Sequence, residues 1–162
     1  MQVKTVLVPL DGSIVAEAAL TWAADLTREG GKVVLLRAAE APATLNADPI
    51  DMQVTAVRGA EAYLAGVAPR VKDLGVANVD TSVWYGPPVE AIVDAARYRD
   101  ADLIVTSTHG RSGLGRLVMG SVAESVLRST TTPILLVRSP QAPVASVSAA
   151  ASQPAMAGEA VG

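Results

Sequence analysis

Within this 162-residue sequence, the segment Thr108-His109-Gly110-Arg111-Ser112-Gly113-Leu114-Gly115, closed by Gly120-Ser121 just before a helical stretch, is best equipped to hold an anion. A helix N-terminus presents unpaired N–H groups and the positive end of the macrodipole, and the two together favour phosphate. Gly110, Gly113 and Gly120 let the backbone approach a ligand closely, and the Ser121 hydroxyl offers one further hydrogen bond. Each piece also has a purely structural reading. Ser121-Val122-Ala123-Glu124 has the spacing of a capping box, in which Ser121 and Glu124 would satisfy backbone donors reciprocally. Asp11-Gly12-Ser13 reads equally as a turn with a helix cap, His109 can hydrogen-bond within its own loop, and Trp22 and Trp84 read as core or interface residues rather than a stacking platform.

Several chemistries are excluded outright. With no cysteine and a single histidine, disulfides, thiolate nucleophiles and multi-histidine metal sites are impossible. No Gly-x4-Gly-Lys-Ser/Thr loop occurs, and Asp11-Gly12-Ser13 does not continue as Gly-x-Gly-x-x-Gly. Gly110-Arg111-Ser112-Gly113 is followed by Leu114 where a hydrolase elbow needs glycine. The 13 Lys and Arg against 16 Asp and Glu give a net charge of −3, which argues against nucleic acid, since affinity there comes mainly from cations neutralising phosphates. No carboxylate is placed by sequence to activate water.

The elements that must position these residues follow from hydrophobic patterning. Val3–Leu7, Lys32–Leu36, Val79–Tyr85, Leu103–Ser107 and Pro133–Val137 are apolar, β-branched runs that predict strands. The second, Lys32–Leu36, does not alternate with polar residues, as expected of a parallel strand buried on both faces. Helices are predicted from Ser13 to Glu29 with Ala16, Ala19, Leu20, Ala23 and Leu26 inward, from Asp51 to about Leu74 despite Gly59, Gly66 and Pro69, from Gly86-Pro87-Pro88 to Tyr98, and from Ser121 to Ser129. The alternation implies an α/β fold, a parallel sheet with helices on both faces. Aromatics are 3% and Phe is absent, so the core must be built from Val, Leu, Ile and Ala. Residues 1–138 form the domain, and the Ala/Ser/Pro-rich residues 139–162 are expected to be a disordered tail. That tail cannot span a bilayer and the N-terminal apolar run is too short for a signal peptide, so a cytoplasmic protein is expected.

In an open parallel sheet, ligands sit beyond the carboxyl ends of the strands where the order reverses. Pro9–Ser13, Arg37–Ala39 and Thr106–Ser121 converge there. At these residues the sequence resembles the universal stress protein family, from Val6-Leu7-Val8-Pro9-Leu10-Asp11-Gly12-Ser13 through Ser107-Thr108-His109-Gly110 and Gly120-Ser121-Val122-Ala123-Glu124 to Pro133-Ile134-Leu135-Leu136-Val137. The resemblance implies a five-stranded sheet of order 3-2-1-4-5 and a homodimer through the last strand. One branch of the family binds ATP with Gly-x2-Gly-x9-Gly-Ser/Thr. Gly110, Gly120 and Ser121 match this pattern, and Ser107 stands where it has its first glycine. By carry-over, Gly110, Gly120 and Ser121 would hold phosphates, Asp11 would contact the nucleoside or a Mg ion, and Ala38 would line the adenine site. Pro9, Leu10, Ser107, His109, Arg111, Gly113 and Val122 complete the expected nucleotide site, whether for ATP, ADP or AMP. The implied function is a stress or signalling module with at most slow hydrolysis. The alternatives are a dimeric interaction protein of the same family that binds no nucleotide and, third, an adenylating or hydrolytic enzyme.

Overall fold

The structure, a computed structural model, describes residues 3–41, 48–108 and 120–139. The elements run β1 (Thr5–Pro9), α1 (Ile14–Glu17), α2 (Ala19–Thr27), β2 (Lys32–Ala39), α3 (Pro49–Asp73), β3 (Asn78–Tyr85), α4 (Pro88–Tyr98), β4 (Leu103–Thr108), α5 (Ser121–Ser129) and β5 (Ile134–Arg138). The strands form one five-stranded sheet of order β3-β2-β1-β4-β5, with every pairing parallel. This is the α/β fold expected from the sequence. The expected disordered tail lies outside the described residues beyond Ser139.

Side-chain alternation along the central strands divides the core in two. Val6, Val8, Val33 and Leu35 meet Ala19, Leu20 and Ala23 of α2 and Leu64, Val67 and Val71 of α3. Leu7, Val34, Leu36 and Ile104 meet Ile92, Val93 and Ala96 of α4 and Val126 of α5. Both faces are therefore covered, which explains why β1 and β2 read as continuous apolar runs.

Three helices depart from their sequence reading. The stretch after β1 is not one helix. It breaks at Ala18, whose N–H bonds to Val15 O at 3.2 Å, and α2 restarts with its inward stripe rotated onto Ala19, Leu20, Ala23, Ala24 and Thr27. Leu26, expected inward, is consequently exposed, and Trp22 on the same helix is an exposed residue rather than a core one. The α3 helix runs unbroken through Gly59, Gly66 and Pro69, and it starts earlier than expected because Asp48 caps it, accepting from Ile50 N at 2.7 Å ahead of Pro49. Burial of Ala60, Leu64, Val67 and Val71 along one stripe outweighs the low helix propensity of the three interrupting residues. At α5 the anticipated capping box does not form. Gly120 is the N-cap and no side chain among the described residues caps the helix, while Glu124 pairs with Arg128 at 2.8 Å.

Candidate functional site

The order of the strands reverses between β1 and β4, and a cleft of about 340 Å³ opens there at their carboxyl ends. Its volume falls in the range of small-molecule sites, roughly 300–1,000 Å³. Leu36, Ile92, Ile104 and Val126 give it an apolar lining, and Asp11, Arg37, Glu40, Thr106 and Ser107 bring polar groups to it. Such a lining suits a flat, largely apolar ligand with polar substituents.

The turn after β1 is built by its own side chains. Leu10 N–H donates to Leu36 O at 2.8 Å, holding the turn against the end of β2. An Asp11 carboxylate oxygen accepts from Ser13 N–H at 2.9 Å, and the Ser13 hydroxyl accepts from Ala16 N–H at 3.1 Å as the N-cap of α1. Between them Gly12 sits at φ +84°, a left-handed conformation that a side chain would strain. A Cβ at Gly12 would stand 2.9 Å from Arg37 Nη1, so the guanidinium lies directly against this turn.

Arg37 itself is anchored by α3. Its guanidinium carbon stands 5.3 Å from the centre of the Tyr63 ring, and its Nη1 points at Leu10 O at 3.5 Å. Tyr63 in turn donates its hydroxyl to Glu17 Oε1 at 3.0 Å, and Arg70 occupies Glu17 Oε2 at 2.8 Å. Burial first, and then the Glu17 hydrogen bond, push the Tyr63 hydroxyl well above its ordinary pKa. The ring therefore stays neutral and keeps its face available to the Arg37 cation.

Six of the expected site residues, Pro9, Leu10, Asp11, Ala38, Ser107 and Val122, are brought together on the walls of the cleft. Gly120 and the exposed Ser121 precede Val122, at the start of α5, and are not among the lining residues. His109, Gly110, Arg111 and Gly113 lie outside the described residues. Sequence reading left out Glu40, Ile92 and Pro88. It placed Arg37 and Thr106 in the converging segments without assigning them a contact. The strand-end rule that located the converging segments applies equally to the residues following β3, and would have found the start of α4. Among the described residues no group of three His, Cys, Asp or Glu side chains gathers into a metal site, and no helix is long and apolar enough to cross a membrane.

The parallel order 3-2-1-4-5 with a cleft at its reversal point defines a doubly wound α/β domain. The chain belongs to the universal stress protein family, whose model matches residues 2–138. Universal stress protein MJ0531 of Methanocaldococcus jannaschii is 32% identical over 145 residues, spanning 85% of this chain and 84% of that protein. A universal stress protein solved in complex with cAMP superposes with a TM-score of 0.67 at 26% identity, covering 85% of this chain and 98% of its own. A universal stress protein family member from Burkholderia pseudomallei gives 0.67 at 27%, covering 84% and 96%.

Proposed function

We propose that this protein is a stress or signalling module that binds an adenine nucleotide, ATP, ADP or AMP, with little or no turnover. The observation that carries this reading is the cleft at the strand-order reversal, which joins an apolar lining to Asp11 and Ala38 and is flanked by the α5 N-terminus. The base would lie against Ala38 and Leu36, and the phosphates at the start of α5. There the first-turn N–H groups have no side-chain cap among the described residues. The likeness to a family member solved with cAMP supports adenine as the base. A Mg ion accompanying the nucleotide would be held by Asp11 together with the nucleotide's own phosphates.

The test is chemical. Protein purified without added nucleotide is denatured and its supernatant analysed for adenine compounds, and the same protein, stripped, is titrated calorimetrically against AMP and ATP. Saturable binding that is lost in Gly120→Val supports the reading, whereas equal affinity of wild type and Gly120→Val removes the phosphate site from the start of α5.

The protein is also proposed to be a homodimer that pairs the strand Pro133–Val137 with its symmetry mate. β5 is an edge of the sheet, and Ile134, Leu135 and Leu136 remain only half-buried on it. An apolar edge with open backbone groups favours pairing, and a two-fold interface would close it. Light scattering at micromolar concentration should give twice the monomer mass, and a monomeric mass removes the dimer.

A further inference from the structure

Arg37 stands at the carboxyl end of β2 with its guanidinium restrained by the Tyr63 ring, by Leu10 O and by the backbone at Gly12. Among the described residues no carboxylate lies within ion-pair distance of it. Glu17, which shares Tyr63 with it, is already engaged by the Tyr63 hydroxyl and by Arg70. A guanidinium has five N–H donors, and Leu10 O takes up only one, at the long distance of 3.5 Å. A half-buried, pre-positioned cation on a cleft wall, with most of its donors unspent, is a site for an anion.

The Arg37 guanidinium lies on the α3 face of the sheet, against Tyr63, whereas α5 packs on the other face, so the two stand on different sides of the strand ends that border the cleft. β1 and β4 lie between β2 and the start of α5, and β2 is two strand spacings, about 10 Å, from β4. One phosphate at α5 does not also neutralise Arg37, whereas a nucleotide phosphorylated at both ends of its ribose has an anion for each. In doubly wound nucleotide-binding folds a carboxylate in the region of the second strand takes ribose hydroxyls, and an arginine there takes a ribose phosphate.

We infer that Arg37 makes this cleft selective for adenine nucleotides that carry a 2′- or 3′-phosphate on the ribose in addition to the 5′-phosphate. This rests on the adenine-nucleotide reading above and narrows its ligand class. Asp11 also faces the cleft, but one of its carboxylate oxygens is held by Ser13 N–H, and the second phosphate is directed to the β2 side by the Arg37 fork.

The experiment titrates the full chain calorimetrically with 5′-AMP, adenosine 3′,5′-bisphosphate and adenosine 2′,5′-bisphosphate, using wild type, Arg37→Met and Arg37→Lys at low and raised salt. One charge-assisted contact should make one bisphosphate bind about tenfold more tightly than AMP to wild type. The bisphosphates separate the 3′ from the 2′ position. The bisphosphate-to-AMP affinity ratio should fall toward one in Arg37→Met, be partly retained in Arg37→Lys and shrink as salt rises. If AMP binds but neither bisphosphate binds more tightly to wild type, or if the preference survives in Arg37→Met, the inference is overturned and the adenine-nucleotide reading stands. If no adenosine ligand binds wild type, both fall. Should Arg37→Met fail to fold by circular dichroism, the wild-type ratio and Arg37→Lys still decide.

Discussion

Replacing Gly12 with alanine tests how the turn after β1 and the Arg37 wall are coupled. Gly12 is held at φ +84°, where an L residue pays about 1–2 kcal/mol in backbone strain, and the loss of glycine's freedom in the unfolded chain returns about 0.5 kcal/mol. That leaves a net loss near 1 kcal/mol. Gly75 supplies the control: at φ +96° it carries the same backbone penalty, but nothing lies within 4 Å of its added Cβ. At Gly12 the new Cβ would stand 2.9 Å from Arg37 Nη1, so the guanidinium must move and weaken its stacking on Tyr63, a further 0.5–1 kcal/mol or so. Urea unfolding should therefore show Gly75→Ala destabilised by about 1 kcal/mol and Gly12→Ala by about 1.5–2 kcal/mol, with thermal midpoints lowered by roughly 2–4 °C per kcal/mol. In an Arg37→Ala background the excess cost at Gly12 should vanish, since the group it displaces is gone. A Gly12→Ala penalty no larger than that of Gly75→Ala, or one unchanged by Arg37→Ala, would refute the contact.

Three further predictions follow from the same geometry. Asp102 accepts from Thr5 N at 2.8 Å and Lys4 N at 2.9 Å, and these bonds, Thr5 first, hold its pKa below the ordinary carboxylate value. Asp102→Asn should therefore cost about 1 kcal/mol at neutral pH, and this difference from wild type should fade as acid titrates the wild-type carboxylate below about pH 4, as read from unfolding midpoints across pH. Tyr63 keeps its proton in the fold above the pH at which the unfolded chain releases it, so wild type should lose stability above about pH 10 and Tyr63→Phe should lack this component. Leu64 is fully buried between α3 and the sheet, and Leu64→Ala should lower the unfolding free energy by about 2–5 kcal/mol in chemical denaturation.

The fold was legible because its signals are local and repeated. Unbroken apolar runs such as Val33-Val34-Leu35-Leu36 announce strands buried on both faces, and their alternation with helical stretches leaves few arrangements. Helix detail was less legible wherever tertiary contacts decide. Nothing in Ile14–Thr27 announces the break at Ala18 that turns Leu26 outward, and the burial that carries α3 through Pro69 comes from contacts with the sheet. At the site, strand-end reasoning found the segments that hold Asp11, Ala38 and Ser107, because topology fixes where strands end, and the family resemblance singled out those residues within them. The network Arg37-Tyr63-Glu17-Arg70 escaped it because its members come from β2, α3 and α1, and no sequence spacing links them. The alternative reading of Ser121 as a cap fails because the Ser-x-x-Glu spacing does not report which residue leaves the helical conformation first. Here Gly120 does.

The measurement that bears most directly on the central claim is an equilibrium titration of stripped, full-length protein with AMP and ATP, paired with an otherwise identical titration of Ala38→Asp, which places a carboxylate on the wall against which the base is expected to lie. The account predicts saturable, one-to-one binding to wild type, weakened by about tenfold or more in Ala38→Asp at unchanged thermal stability. An absence of saturable binding to wild type up to millimolar nucleotide, or equal affinity in the two proteins, would contradict it.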